Sequence, residues 1–216
     1  LIAEFANRHL DKLTPFRPSE NPTLYKLINL LQQLKEQQKE TQNRLHTAKD
    51  IYIKSTHEAI IELLEEKIDQ TSKRIEGMIK QKESLNIEYQ NLQTIPAIGK
   101  ETAVILLRHL TDKNFETANK FVAFAGLSPK IEQSGTSVNK KGRLSRYGHR
   151  QLKRALFMPA LVAYRMNAFP QLVRNLEAAK KPKMIIIVAI MRKLAKIAFY
   201  IHKTKKPFDK ARHQTV

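Results

Sequence analysis

No cysteine occurs among the 216 residues, which excludes a disulfide scaffold, a cysteine nucleophile, an iron–sulfur cluster and any thiolate zinc site. Tryptophan is absent too, and glycine is scarce, six residues beside nine prolines, a balance that argues against a loop-rich all-β fold. Long hydrophobic runs are missing. The longest, Met184–Met191, is followed at once by Arg192, Lys193 and Lys196 and falls far short of the roughly 20 residues a membrane span needs. The first residue is Leu, with no charged-then-apolar leader after it, so no secretory signal is visible and a soluble cytoplasmic protein without a membrane partner is expected.

The most telling shortage is of acid in the second half. Residues 129–216 contain only Glu132, Glu177 and Asp209 against 21 Lys and Arg, a net of +18, whereas residues 1–128 hold 17 acids and 18 bases. A solvated surface ordinarily mixes the two signs because one sign repels itself. So lopsided a segment is best explained by a polyanion that neutralises it, although a merely soluble basic surface stays open. Nucleic acid fits better than acidic lipid, since no amphipathic stretch carries a clean basic face opposite Trp or Phe.

The neutral half has the pattern of a long helical hairpin. Pro15, Pro18 and Pro22 break the chain after a short amphipathic opening, LIAEFANRHL. One seam then runs Leu24, Leu27, Leu31, Leu34, Gln38, Thr41, Leu45, Ala48; a second runs Ile61, Leu64, Ile68, Thr71, Ile75, Met78, Lys82, Leu85, Tyr89, Leu92. Steps alternating three and four make heptad seams. Ser55 or Thr56 with Glu58 can cap the second helix. A fold-back at residues 54 and 55 puts Leu34 opposite Ile75, Leu31 opposite Met78, Leu45 opposite Leu64 and Gln38 opposite Thr71. At about 1.5 Å per residue such an arm reaches about 40 Å. Its carboxylates, among them Glu62, Glu65, Glu66 and Asp69, read as solvated flank residues.

Two stretches of the basic half carry candidate chemistry. TIPAIGKETAVILLRHL, residues 94–110, has the order helix end, tight turn, helix start of a helix-hairpin-helix. There Gly99 lets the backbone approach a phosphate, and the free N–H groups at Lys100 bind it. Ala97 replaces the usual first glycine, and a purely structural turn is the competing reading. A helix near Glu116–Phe124 ends at Ala125-Gly126. Then IEQSGTSVNKKGRLSRYGHRQLKRAL, residues 131–156, places an exposed turn (Ser134, Gly135, Thr136, Ser137) before a basic loop with Lys140, Lys141, Arg143 and Arg146. A helix from near Tyr147 follows, bearing Arg150, Lys153 and Arg154 opposite the core residues Leu152, Ala155 and Leu156. Such a turn by itself is ordinarily a turn or a helix cap. His149 has no carboxylate partner in the sequence and serves as a backbone or phosphate contact at most. The segment from Lys180 reads as a core helix, with Met184, Ile187, Met191, Leu194 and Ala198 as its apolar stripe and a Lys-rich exit.

The strings IPAIGKETA, FVAFAGLSPK, QSGTSVNKKGRLSRYGHRQLKRALFMPALVA and VAIMRKLAKIAFYIHKTKKPFD together resemble the C-terminal transposase domain of the bacterial DEDD insertion-sequence transposases. That family includes the pilin-gene invertases and the bridge-RNA-guided recombinases. The resemblance extends over essentially the whole chain, because members place a long coiled coil before this domain. It implies DNA cleavage and exchange through a serine that becomes covalently joined to the phosphodiester, and the matching position is Ser134 within Gln133-Ser134-Gly135. It also implies an RNase-H-like domain whose acidic tetrad holds Mg²⁺ upstream of LIAEFANRHL, so no metal is expected on this chain itself.

The expected fold is all-α: residues 1–20 a linker after that domain, 21–94 an antiparallel coiled-coil hairpin, 95–216 a compact helical DNA-binding domain with a helix-hairpin-helix-like element. Expected partners are DNA, a guide (bridge) RNA and further copies joined through the coil, in a nucleoid-associated cytoplasmic setting. Two alternatives remain open at this point: a non-catalytic nucleic-acid-binding protein derived from such a transposase, and a coiled-coil interaction protein tethered by its basic half.

Overall fold

A computed structural model describes residues 2–8, 18–134, 138–144 and 147–213, with backbone alone for 2, 6, 130–134, 138–143, 212 and 213. The class is all-α, as expected, with one two-stranded ribbon let into it. After α1 (Ile2–Arg8) come α2 (Pro22–Thr47) and α3 (Ile51–Gln81), the two longest helices, which pack on each other. Pro22 sits in the first turn of α2, where its missing N–H costs nothing.

The bend between α2 and α3 falls earlier than the expected residues 54 and 55. The Asp50 carboxylate accepts from the backbone N–H groups of Tyr52 (2.9 Å) and Ile53 (3.1 Å), and a capping carboxylate with two donors fixes the helix start there. Ser55 and Thr56 lie inside α3 instead, donating to the Tyr52 carbonyl. The register shifts with the bend. Gln38 Nε2 donates to Glu65 (3.0 Å) and Lys82 donates to Asn21, which brings Ile28 opposite Ile75 and Leu24 opposite Ile79. All four are buried. The expected pairs Leu34–Ile75 and Gln38–Thr71 are displaced accordingly.

The second seam is also not one helix. Lys82 is extended (φ −111°, ψ 105°), and α4 (Glu83–Gln93) sets off anew. Leu85, Tyr89 and Leu92 keep the seam's spacing and are buried, while α4 as a whole packs on α5 (Lys100–Asp112) and α9 (Lys183–Thr204) as well as on α3. A core offering more apolar surface outweighs the continuity of one coil.

Helix α9 is the axis of the basic half. It packs against α4, α5, α6 (Ala118–Phe124), α7 (Arg150–Arg165) and α8 (Pro170–Ala178), and Ile190, Leu194, Ala195 and Ala198 are wholly buried. Of its expected stripe Met184 departs, 59% exposed, because it lies in the first turn, ahead of the part the other helices cover. A short α10 (Lys210–His213) ends the described chain.

Where a turn and a basic loop were expected, β1 (Pro129–Ser134) and β2 (Val138–Leu144) pair antiparallel, Pro129 opposite Leu144 and Ser134 opposite Val138. Pairing gives both strands partners for backbone groups that a loop would leave to water. The two strands are joined by Gly135, Thr136 and Ser137, outside the described residues.

Candidate nucleic-acid interface

Two glycines make the platform from which α7 starts. Gly126 ends α6 at φ +70°, its N–H donating to Ala123 O (2.9 Å) and that of Leu127 to Val122 O (3.1 Å), a left-handed helix stop. Gly148 comes down on it at φ +134°, so close that a Cβ there would lie 2.3 Å from Gly126 Cα and 2.5 Å from its nitrogen. The contact lets the His149 N–H reach Phe124 O at 2.7 Å, and His149 Nδ1 accepts from the Leu152 N–H (3.4 Å) as the cap of α7. Helix α7 therefore begins at Arg150, three residues later than expected, and His149 is a backbone contact. Gly148→Ala should cost about 2–4 kcal/mol, overpacking against unyielding backbone added to an unfavourable φ. Chemical denaturation followed by circular dichroism checks it, and a loss below 1 kcal/mol would mean that the two chains can part.

Behind the cap His109 is buried, its ring centroid 4.1 Å from that of His149 and 5.8 Å from that of Phe124. Burial, with His149, Arg108 and Lys113 adding to it against an opposing hydrogen bond with Gln151, pushes the His109 imidazole down to about 3. His149 is lowered for the same reasons, burial first, then Arg108 and Lys113. Both rings are neutral at pH 7, so neither adds to the positive field. His109 Nε2 has no partner.

Helices α2, α5 and α7 enclose a polar groove of about 870 Å³ whose lining includes Asn29, Gln32, Lys39, Glu101, Arg150 and Arg154. Of the residues predicted from sequence, the structure brings Arg150 and Arg154 together here, next to the start of α5. Arg154 reaches across to Glu36 (2.5 Å) and Lys35 to Glu101 (2.5 Å), while Lys100 pairs with Glu76 on α3 at 2.9 Å. Two expected phosphate contacts are thus engaged by carboxylates of the arm. Such exposed pairs contribute only about 0–1 kcal/mol each, so a phosphate can compete for them.

Gly99 caps α5 at φ −87°, ψ 176°, with nothing within 4 Å of where a Cβ would stand, so the backbone is uncrowded on that side of the turn. The left-handed residue of this turn is Ala97 (φ 66°), the position where a helix-hairpin-helix would carry glycine. Lys153 lies over Gly126 rather than in the groove, its Nζ 3.0 Å from the place of a Cβ.

Ser134 is the last residue of β1; along the backbone register Lys140 stands opposite Glu132 and Arg143 opposite Lys130, with Lys141 also in β2. Arg146 lies outside the described residues. Sequence reasoning did not find the amide lining of the groove or the buried His109. The i, i+4 spacing of Arg150 and Arg154, matched by Glu36 and Glu40 on α2, was the available signal for the groove. Among the described residues no group of three or more His, Cys, Asp or Glu is placed to hold a metal ion, and no helix is long and apolar enough to cross a membrane.

The description "Transposase IS116/IS110/IS902 family" matches residues 89–174, from within α4 into α8. Pilin gene-inverting proteins of Moraxella lacunata and Moraxella bovis are each 34% identical over 215 residues, covering 94% of this chain and 67% of theirs. An uncharacterised protein of insertion element IS110 from Streptomyces coelicolor is 41% identical over 80 residues, 37% of this chain and 19% of its own. The family match encloses Gly99, the ribbon, the double-glycine platform and α7.

Proposed function

Since the chain belongs to the IS110 family of transposases and recombinases, we propose that it is the DNA-gripping, nucleophile-bearing part of a recombinase whose Ser134 breaks and rejoins DNA strands. The observation that carries this reading is the position of Ser134. It ends a strand whose partner continues into Lys140, Lys141 and Arg143, in a segment with 21 bases and three acids. The hydroxyl oxygen attacks phosphorus; the new Oγ–P bond forms as one ester P–O bond breaks. The serine proton passes to a base or water, and the leaving deoxyribose oxygen takes one up. Negative charge building on the phosphate oxygens is what nearby cations stabilise.

DNA is held by the start of α5 at Gly99 and Lys100, by the basic strand with Arg146, and by Arg150, Lys153 and Arg154 on α7. The Mg²⁺ that the resemblance implies belongs to an acidic tetrad ahead of this segment. On this reading the segment binds DNA, and cuts it when that tetrad is supplied. A guide RNA and self-association through α2 and α3 are further parts of the same reading; Ile51 and Tyr52 at the bend, 85% and 79% exposed, leave apolar surface for the second.

Duplex binding as a function of salt tests the grip. Each neutralised phosphate contributes about −0.9 to the log–log slope, so Lys140, Lys141, Arg143 and Arg146 changed together to Glu should flatten it by about 3.6. An unchanged slope would move the duplex surface away from the ribbon.

A further inference from the structure

The end of α9 carries a cleft that none of the preceding roles uses. About 590 Å³ in volume, it lies between the last three turns of α9 and the chain that doubles back after it. Ile197 and Ile201, both buried, form its floor. Tyr200 and Phe208 line it as aromatic walls, and Lys193, Lys196 and Lys206 stand around it; the one carboxylate among its lining residues is Asp209. Tyr200 stays 50% exposed, unusual for an aromatic beside so large a core.

The cleft is held open by its own anchors. Lys205 ends α9 in the left-handed conformation (φ 55°), which turns the chain back. Its carbonyl accepts from Asn91 Nδ2 (2.9 Å), its ammonium group and His202 both engage the buried Glu88, and the Phe208 N–H donates to Thr94 Oγ1 (2.7 Å). A wall pinned at three points to α4 and its cap residue Thr94 need not be ordered when a ligand arrives, which removes a cost of binding.

A flat apolar surface edged by cations, in a chain already rich in cations, matches one kind of ligand best. We propose that this cleft takes one unpaired nucleotide of a single-stranded segment, its base laid against Tyr200 and its phosphate between Lys193 and Lys196. Lys193, Lys196, Ile197 and Tyr200 share one helix face by their three- and four-residue steps, so cations and aromatic wall face the same ligand. A base inside a duplex is stacked on both sides and cannot enter; a base from a loop, an end or a displaced strand can. The half-buried Lys193 ammonium, lowered by burial and by Lys196, gains from an anion between the two. The site deepens the nucleic-acid reading above and rests on it, but it is separate from the duplex surface at the ribbon and α7.

The test uses the full chain with three probes of about 12 nucleotides, oligo-dT, oligo-U and an abasic strand of equal charge, beside a DNA duplex. Tyr200→Ala should weaken oligo-dT or oligo-U about tenfold, the usual worth of one stacked base, and leave duplex and abasic strand within twofold; Tyr200→Phe should bind as wild type does. Lys193→Gln with Lys196→Gln, which together hold one phosphate, should flatten the salt slope on single strands by about 0.7. In Tyr200→Trp the only indole of the protein should lose emission when oligo-dT or oligo-U is added. Tighter binding of oligo-U would assign an RNA strand, equal binding any unpaired strand. Unchanged affinity in Tyr200→Ala, or an equal loss on the duplex, would overturn the site. A duplex that fails to bind while the Tyr200-dependent effect persists would sink the duplex reading and leave this one standing.

Discussion

Joined to the acidic domain of its family and given labelled target DNA with Mg²⁺, Ser134→Ala should bind as wild type does and form no covalent protein–DNA species. The argument rests on how differently one hydroxyl counts in the two steps. Binding is shared among many cations along a phosphate backbone, so one neutral oxygen removed from among them should change the affinity by no more than about twofold. Bond formation needs that oxygen and no other, and its loss removes the covalent intermediate altogether. A denaturing gel separates the two, since only a covalent species survives it. An adduct that persists in Ser134→Ala and vanishes in Ser137→Ala would identify Ser137 as the nucleophile. Strand exchange with no adduct from any form would make water or a DNA end the attacking group.

The second large effect is thermodynamic. Between pH 7 and pH 5 the fold should lose about 2 kcal/mol through His109 alone, at 1.36 kcal/mol per unit of pH below the unfolded pKa near 6.5. The sign follows from which state binds the proton first. In the folded chain the ring is held down to about 3, so between 6.5 and 3 the unfolded chain is protonated and the folded chain is not, and every proton taken up favours unfolding. The contribution is intact above 6.5 and drains away as the pH falls toward 3. His149, lowered for like causes, acts in the same direction. Urea unfolding at pH 5, 6 and 7 measures the slope. His109→Leu, which keeps an apolar body and cannot titrate, should flatten it; a wild-type slope in that variant would place the acid sensitivity elsewhere.

Much of this molecule was legible in its residues, and the limits have physical causes. The helices of the basic half followed from their apolar stripes, and the stop at Gly126 from glycine's access to positive φ. The bend of the arm was misplaced because three hydroxyl or carboxylate caps compete within a few residues, and an aspartate with two donors in reach wins. The break at Lys82 left no mark in the heptad spacing, since Leu85 and Tyr89 stay in phase across it. Strand pairing at the ribbon depended on partners 4 to 15 residues apart, which local periodicity does not register. At the site itself, charge located the basic surface, but only the fold shows that Arg154 and Lys100 already meet Glu36 and Glu76.

Those ion pairs give the arm a mechanical meaning. A helix of 26 residues is a rigid rod about 39 Å long. It is clamped near its middle by Lys35–Glu101 and Arg154–Glu36, with Lys100–Glu76 bracing the antiparallel rod beside it. From the clamp at Glu36 to the free end at Thr47 the lever is about 17 Å, so a rotation of about 10° carries that end about 3 Å, or about one base-pair step of DNA. The clamp and the phosphate grip draw on the same cations. DNA that takes Arg154 from Glu36 loosens the fulcrum in the same event, so occupancy at the clamp is converted into displacement at the tip with a mechanical gain set by the length of helix beyond it.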